Sequence, residues 1–334
     1  MLSITLTAVH QQSTIPTVTI YVSAGGSDSN GDGTTSATAY ASIDRAAQDM
    51  TDAAMVYIVY IDGQLSDAQQ LPSSITAAAV TLTGANGLNA AGEPQDAIDR
   101  ALTSASDSGT ALSIEADVPV TITNLKIAGG FTNGAKGGGI DIAEDAVVQL
   151  ADGALVMGNR NSGSGNGKGG GGIRLYDGTL QIASGTIACN GTGKYGGGIY
   201  VPASISPVLT GGTIRDNQAS NKGGALYYVH DVSAVTCYLK VSGSIYIPLD
   251  AEQKNTVYLG NNYYSQIKLM TALTAQTPVM TITPASYPAS TGTRAVLVDD
   301  NSGALVGTEH GKFAIIPNGS DQYEITNDGK LTKL

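Results

Sequence analysis

The sequence contains no tryptophan and only two phenylalanines among its 334 residues, so large rings cannot fill its core. Charged residues are also scarce, at 13% of the chain. Close packing without large side chains requires an interior narrow enough for Ile, Val, Leu, Ala and Thr to fill. The composition therefore favours a thin, extended core over one wide globular core.

Basic residues are few, with 17 Lys and Arg against 28 Asp and Glu, and the net charge is −11. Such a chain repels nucleic acid and anionic membrane surfaces, so neither is expected as a partner. No stretch of about 20 apolar residues occurs, so no membrane-spanning segment is predicted. The two cysteines, Cys189 and Cys237, lie in repeats two coils apart, and no disulfide is expected between them.

Glycine is abundant, and its placement predicts the architecture. Four glycine-rich runs are each followed at once by an aliphatic residue, at Ile140, Ile173, Ile199 and Leu226. The steps between these residues are 33, 26 and 27 positions. A period of this size, with short strand patterns inside each unit, is typical of a solenoid whose repeats stack.

Each unit has three short segments of period-two alternation separated by turns. Three strands in roughly 26 residues form one turn of a parallel β-helix, in which each strand pairs with its copy in the next coil about 4.8 Å away. The predicted strands cover residues 140–142, 147–150 and 154–157, then 173–175, 179–182 and 186–187, then 199–201, 208–209 and 213–214.

One asparagine recurs at the same place in each unit, as Asn159, Asn190 and Asn217. Asparagine tolerates turn conformations, and stacked copies can bond to one another as a ladder. The fourth unit departs from this register, because Leu239 and Val241 lie one residue away from the expected positions. We expect a bulge or a wider coil there.

The solenoid ends need covers, because an open β-helix exposes unpaired strand edges. In residues 42–50, Ile43, Ala46, Ala47 and Met50 recur at helical spacing, which predicts a short amphipathic helix that plugs the first coil. Residues 94–102 are predicted as a second short helix, because Pro94 suits a first helical turn.

The predicted domain order is an N-terminal arm at 1–17, a parallel β-helix at 18–283 and a C-terminal β cap at 284–334. The arm alternates weakly at residues 3–9, so it is either a strand that adds to another subunit or a frayed terminus. The other strand predictions are early coils at 56–61, 80–83, 112–114 and 120–127, one further coil at 256–259, 266–270 and 279–283, and cap strands at 295–298, 313–316, 323–326 and 331–334.

These motifs resemble those of three groups of proteins. The segments 21–34 and 41–46, with Gly26, Asp28 and Gly33, resemble the opening of bacterial right-handed parallel β-helix proteins. The Gly-Gly-Gly-Ile repeats resemble those of chlamydial polymorphic outer-membrane proteins. The chain looks closer still to large spirochaete surface proteins, which carry stretches similar to residues 80–84, 312–314 and 325–331. The chlamydial repeats add a Phe-containing tetrapeptide that this chain lacks. The resemblance implies a non-catalytic surface or adhesive protein.

Catalytic chemistry is the alternative, because the same solenoid carries polysaccharide lyases and glycoside hydrolases. None of His10, His230 and His310 has the Gly-His-Gly context of polygalacturonase-like enzymes. Asp299 and Asp300 are adjacent, so a strand would point them to opposite faces, and a turn is the better interpretation. Asp216 is expected at a coil corner without a second carboxylate opposite it.

Two candidate sites remain. Asp28, Asn30 and Asp32 place oxygen ligands at alternate positions, as in the first half of a calcium loop, although Ala39 replaces the final Glu. This segment is either a structural calcium site or a polar turn. The outward positions of the first strand form a column of Asp141, Arg174, Tyr200 and Tyr227. Tyr200 and Tyr227 should stack, joined by Tyr176 and Tyr195, and this face either binds a glycan or protein or only stabilises the stacking.

The sequence thus predicts an all-β, right-handed parallel β-helix with a short N-terminal capping helix and a C-terminal β cap. Its expected function is that of a bacterial, non-catalytic structural or adhesive protein, secreted or at the cell surface. Expected partners are a glycan, a host or cell-surface protein, or further copies of the chain joined through the solenoid ends or the arm. No cofactor is expected beyond the calcium considered above.

Overall fold

The structure is a computed structural model that describes residues 15–100, 109–165, 167–202, 205–229, 237–260, 265–289, 293–300 and 302–334. It is all-β, with 45% strand and 6% helix, and its parallel sheets stack into a β-solenoid of about eight turns. The predicted parallel β-helix is confirmed. In the described ranges, no helix is long and apolar enough to cross a membrane.

The N-terminal half contains helix α1 at Ile43–Ala47, after a short 3-10 turn at Ser36–Thr38. Its strands are β1 Thr17–Ser23, β2 Thr51–Asp62, β3 Gln64–Leu65, β4 Gln69–Leu71, β5 Thr76–Gly84, β6 Ala97–Asp99, β7 Leu112–Ile114, β8 Pro119–Thr123, β9 Lys126–Ala128, β10 Phe131–Thr132, β11 Ile140–Ile142, β12 Val147–Leu150, β13 Leu155–Met157 and β14 Arg160–Asn161.

The C-terminal half contains helix α2 at Ala304–Glu309, followed by a 3-10 turn at His310–Lys312. Its strands are β15 Ile173–Leu175, β16 Thr179–Ile182, β17 Thr186–Ala188, β18 Gly191–Thr192, β19 Ile199–Val201, β20 Val208–Leu209, β21 Thr213–Arg215, β22 Gln218–Ala219, β23 Leu226–Tyr228, β24 Leu239–Gly243, β25 Val257–Leu259, β26 Ile267–Leu273, β27 Met280–Pro284, β28 Arg294–Ala295, β29 Leu297–Asp299, β30 Phe313–Ile315, β31 Tyr323–Ile325 and β32 Lys330–Lys333.

Four parallel sheets form the walls of the solenoid. The ten-stranded sheet has the order β1-β2-β5-β8-β12-β16-β20-β24-β26-β29 and the nine-stranded sheet β30-β27-β25-β23-β19-β15-β11-β7-β4. The six-stranded sheet has the order β21-β17-β13-β9-β6-β3, and the four-stranded sheet β10-β14-β18-β22. The four-stranded sheet was not predicted, because two-residue strands carry no alternation to detect.

The aliphatic residues after the glycine runs share one core. Ile140 pairs with Ile173, Ile173 with Ile199 and Ile199 with Leu226, in parallel register, and all four side chains are fully buried. The ten-, nine- and six-stranded sheets contribute the inward members of their alternating strands to this cluster. Removal of this apolar surface from water is the main force that holds the coils together.

The glycine runs allow two coils to approach at one corner. A Cβ on Gly171 would lie 2.3 Å from the carbonyl oxygen of Gly191, which is shorter than any real Cβ contact. Gly196 has a φ of +63°, a backbone conformation that side chains disfavour. Only glycine satisfies both demands, which explains why the runs recur in four successive coils.

The predicted asparagine ladder is confirmed and is one rung longer than expected. Asn159 donates its backbone N–H and its Nδ2 to Oδ1 of Asn190, each at 3.0 Å, and Asn190 makes the same pair of bonds to Asn217. Asn217 donates its backbone N–H to Oδ1 of Asn255 at 3.1 Å. All four side chains are almost completely buried. The ladder therefore satisfies buried polar groups at a corner where no regular strand can.

The N-terminal plug is confirmed, although it is shorter than predicted. Helix α1 begins after Ser42, whose Oγ accepts the N–H of Arg45 at 3.1 Å as an N-cap. Ile43, Ala46 and Met50 are buried against the first coil. The helix contacts β1 and β4, the first strands of the ten- and nine-stranded sheets.

The second predicted helix, at residues 94–102, is wrong for the part that the structure describes. Residues 97–99 form strand β6, which pairs with β3 and β9 in parallel register. The preceding Asp96 is fully buried, and its carboxylate accepts the backbone N–H groups of Gly63 and Asn86 at 2.8 and 2.6 Å. These distant partners outweigh the local helical preference that Pro94 suggested.

The C-terminal coils are connected differently from the prediction. Strands β25 and β27 pair with each other, so residues 256–259 and 279–283 belong to successive coils and not to one. Parallel pairing extends past residue 283, because β29 pairs with β26 and β30 pairs with β27. Strands β28, β31 and β32 form a small antiparallel sheet. The sequence analysis missed helix α2, which contacts β26 and β29.

Two smaller expectations can be compared with the structure. The step from Leu226 to its partner Val257 is 31 residues, so this coil is wider than the two before it. A bulge lies between β24 and β26, where Val241 pairs with Leu269 but Gly243 pairs with Leu273. In the described part of the chain, Cys189 and Cys237 are not joined by a disulfide. The weakly alternating residues 3–9 of the arm lie outside the described residues.

Candidate functional site

The predicted outward column is in register. Asp141 pairs with Arg174, Arg174 with Tyr200 and Tyr200 with Tyr227, in adjacent strands of the nine-stranded sheet. Tyr258 continues the column in the next coil. The guanidinium of Arg174 donates two hydrogen bonds to the Asp141 carboxylate, from Nε to Oδ1 at 2.5 Å and from Nη2 to Oδ2 at 3.0 Å. These two side chains are only 12% and 5% exposed, so the pair is protected from water.

The tyrosines form a continuous stack beside this ion pair. Tyr195 lies 4.5 Å from Tyr227 between ring centroids, and Tyr227 lies 5.1 Å from Tyr258. Tyr200 lies 5.4 Å from Tyr227 at a tilt of 32°. Offset stacking of this kind contributes about 0.5–1.5 kcal/mol for each pair beyond the buried area. Tyr195 therefore joins Tyr200 and Tyr227 in one stack.

The stack presents little open surface, and Tyr176 lies apart from it. Tyr200 is 3% exposed and Tyr258 is 5% exposed, while Tyr195 and Tyr227 are half-buried. Tyr176 is 51% exposed, and the guanidinium of Arg174 lies over its ring at 5.0 Å from the ring centroid. Burial on this scale favours a stabilising role for Tyr200 over direct contact with a partner.

The predicted calcium ligands form a hydrogen-bonded turn. Asp28 accepts the N–H of Ala41 at 2.7 Å with Oδ1 and the hydroxyl of Ser42 at 2.7 Å with Oδ2. Asp32 Oδ1 accepts the hydroxyls of Thr38 and Thr34 at 2.5 and 2.8 Å and the N–H of Thr34. The bond from Thr38, followed by those from Thr34, lowers the pKa of Asp32 to about 2.

The two carboxylates bond to different sets of donors, and those of Asp28 lie 13 and 14 residues away in the chain. A calcium site needs several oxygens directed at one point. Among the described residues, no group of three or more His, Cys, Asp or Glu could hold a metal ion. The geometry instead matches a polar turn that positions Ser42 for its N-cap.

The remaining acidic candidates have structural partners. Asp299 accepts the N–H groups of Gly303 and Val306, each at 2.8 Å, which closes the turn into α2. Asp300 pairs with Lys268 at 2.6 Å. His310 contacts the carbonyl oxygens of Val306 and Gly307 through Nδ1. His10 and His230 lie outside the described residues.

A polar groove that the sequence analysis did not identify runs beside the asparagine ladder. Its volume is about 880 Å³, and it crosses the corner between the six- and four-stranded sheets. The residues before each ladder asparagine form one wall, here called the corner column, and the residues after them form the other, the flank column. The corner column is Gly158, Cys189, Asp216 and Lys254, and the flank column is Arg160, Gly191 and Gln218.

Local geometry explains why both columns face outward. The corner column turns the chain with left-handed backbone at Gly158, Cys189 and Asp216, whose φ values are +66°, +55° and +56°. The flank column opens the strands β14, β18 and β22, which stack in register. Because each ladder asparagine points into the protein, its two neighbours along the chain point away. The sequence signal was therefore the pair of residues that flank each recurring asparagine.

Among the described residues that line the groove, only Asp216 carries a carboxylate, and it pairs with Arg215 at 2.7 Å. The groove can offer hydrogen bonds and charge to an extended polar ligand. Comparison with known proteins adds no assignment to this geometry. No protein-family model matches the chain, and no curated protein matches its sequence.

Proposed function

We propose that the chain is a non-catalytic structural or adhesive β-helix module that a bacterium secretes or displays at its surface. The resemblance of its glycine repeats to spirochaete surface proteins and chlamydial outer-membrane repeats supports this proposal. Its partner is a glycan or a surface protein, and no cofactor takes part.

The observation that carries the proposal is the charge inventory of the groove. Glycoside hydrolysis uses two carboxylates about 5–9.5 Å apart across a sugar. Among the described lining residues, Asp216 is the single carboxylate, and its partner Arg215 neutralises it. A polar groove with this inventory suits ligand retention better than acid–base cleavage.

The walls around the groove also suit a rigid scaffold. The asparagine ladder and the tyrosine stack each link several coils, and the Asp141–Arg174 pair links two. Regular stacked repeats transmit load along one axis, which suits a surface rod. Assembly into a homopolymer through the solenoid ends or the N-terminal arm belongs to this proposal.

Two measurements test the proposal. Incubation with acidic and neutral polysaccharides, with and without calcium, should release neither new reducing ends nor unsaturated uronates. Protease added to intact cells of the source organism should degrade the protein without lysis. Cleavage of any polysaccharide would favour the lyase or hydrolase alternative, and protection from protease would contradict surface display.

A further inference from the structure

We propose that the groove between the corner column and the flank column binds an extended acidic oligosaccharide. This assignment rests on the proposed function, since it names the ligand and the binding site of a non-catalytic adhesive module.

The charge of the groove is opposite to that of the whole chain. The net charge is −11, yet Arg160 and Lys254 outnumber the one lining carboxylate, Asp216. Arg160 is exposed, and no ion pair or hydrogen bond engages its guanidinium within the described part of the chain. A guanidinium binds a carboxylate with two parallel hydrogen bonds, so Arg160 offers a ready site for a uronate group.

The second cation is available at low cost. Lys254 pairs with Glu252 at 2.5 Å, but both side chains are about half exposed. An exposed pair of this kind contributes little to stability, so a ligand carboxylate can replace Glu252. Lys254 lies three rungs above Gly158 in the corner column, which corresponds to roughly 14 Å along the solenoid axis. The two cations therefore flank a groove long enough for several sugar units.

The floor between the cations is open. Gly191 lies between Arg160 and Gln218 in the flank column, and a Cβ built on it would meet nothing within 4 Å. Its backbone φ is not in the positive range, so a side chain there would not strain the chain. The missing side chain leaves a gap that a sugar ring can enter, while Gln218 and Asp216 offer hydrogen bonds to hydroxyl groups.

The walls favour a glycan over a peptide. An extended peptide gains affinity mainly by pairing with a strand edge. Both columns here run across stacked strands, and β14 and β18 already pair on both sides. Positions in the two columns repeat about every 4.8 Å, and the polar side chains among them can contact hydroxyl and carboxylate groups along a glycan.

The test uses two variants of the full chain. Gly191→Phe fills the floor, and Arg160→Gln removes the anchoring charge. Calorimetric titration with oligogalacturonate should show binding by the wild type and at least a tenfold weaker Kd for each variant. The wild-type affinity should fall with added salt, because the contact is between charges. Neutral cello-oligosaccharides should bind at least tenfold more weakly than oligogalacturonate.

Matched controls separate the groove from general effects. Gly25→Phe adds the same ring at a glycine that also has open space, and Lys330→Gln removes a cation in the C-terminal sheet. Both should bind like the wild type, and circular dichroism should give the same melting transition for all five proteins. Unchanged affinity in both groove variants, equal affinity for the neutral oligosaccharide, or no binding of oligogalacturonate overturns the assignment.

The same samples distinguish this inference from the proposed function. If oligogalacturonate is bound in the groove but cleaved, the non-catalytic function fails and the site assignment stands. If oligogalacturonate is neither bound nor cleaved, while intact cells still expose the protein to protease, the ligand assignment fails and the surface role stands.

Discussion

At the scale of single residues, buried polar groups stabilise this protein where regular strands are interrupted. Each ladder asparagine forms hydrogen bonds with the asparagine of a neighbouring coil and with backbone groups of a neighbouring coil. Asn190, for example, donates Nδ2 to the carbonyl oxygen of Val156 at 2.9 Å. Such side chains replace the main-chain pairing that the corner cannot provide, so their removal leaves donors and acceptors buried without partners.

Replacement of one ladder asparagine should therefore be costly. Asn190→Ala leaves the N–H of Asn159 and the carbonyl of Val156 without these partners, at about 1–3 kcal/mol for each. We expect a loss of about 3 kcal/mol in the free energy of unfolding, measured with urea. The exposed Asn221→Ala should change it by less than about 0.5 kcal/mol. An equal effect of both variants would show that the ladder does not stabilise the corner.

The buried tyrosine should behave differently from the exposed one. Tyr200 is enclosed by Tyr195 and Tyr227, so Tyr200→Ala should lower stability by about 3–5 kcal/mol, as other large core truncations do. Tyr176→Ala, at a half-exposed ring, should cost less than about 1 kcal/mol. Thermal unfolding followed by circular dichroism measures both. If Tyr200→Ala keeps full stability but loses partner binding, the stack is a binding face, as one sequence-based interpretation held.

At the scale of elements, one buried carboxylate, that of Glu309, connects α2 and the turn after it to strand β26 of the last coils. Glu309 accepts the N–H of Leu273 and the ammonium of Lys312, both at 2.9 Å, and Lys312 also donates to the carbonyl of Leu273. Burial by itself raises the pKa of Glu309, but the bonds from Lys312 and Leu273 outweigh it and hold the pKa below its ordinary value. The ionised form is therefore the one that the fold stabilises.

Acid should loosen this fastening before the central coils open. Because the folded pKa of Glu309 is lowered, its stabilisation is complete above the ordinary glutamate pKa and is lost as pH falls through the lowered value. Hydrogen exchange of the Leu273 amide should accelerate over that range, while the amide of Ile173 in a central coil stays protected. In Glu309→Gln the acceleration should be present at neutral pH and independent of acid. A Leu273 amide that stays protected in the variant would contradict this role.

The elements that the sequence predicted correctly share a clear cause. Strands β11, β15 and β19 combine a glycine run, an alternating pattern and a fixed period, so local and global signals agree. Strand β6 was missed because its conformation depends on the neighbouring Asp96. One hydrogen-bond partner of Asp96 is Gly63, which lies more than 30 positions earlier in the chain. The connection of β25 and β27 was missed for a related reason, since the pairing of short strands is a property of the coil and not of the segment.

The candidate sites were predicted less well than the fold. The column Asp141, Arg174, Tyr200 and Tyr227 was correct in register, because register follows directly from the repeat period. The burial of this column could not be derived from the sequence, because Tyr195 and the glycine-rich corner cover the column only in the folded chain. The groove escaped notice because its walls share no residue type and are defined only by their position beside the ladder.

At the scale of the whole molecule, the solenoid is bounded at both ends. Helix α1 contacts the first strands of the ten- and nine-stranded sheets, and β31 contacts the last strand of the nine-stranded sheet. Bounded ends oppose end-to-end growth, because a partner coil needs a free row of backbone groups. A homopolymer that grows through the solenoid ends therefore requires one of these elements to move.

Removal of the cover at one end should allow end-to-end association of the solenoids. Ile43→Asp places a charge in the fully buried face of α1 and should detach the helix from the first coil. We expect light scattering to report a mass that rises with concentration for this variant and stays constant for the wild type. Arg45→Gln, on the outer side of the same helix, should match the wild type, because it removes the pair with Asp49 and the contact with the Tyr40 ring but leaves the buried face of α1 unchanged. If wild type and Ile43→Asp polymerise alike, α1 does not protect the end, and growth proceeds through another surface.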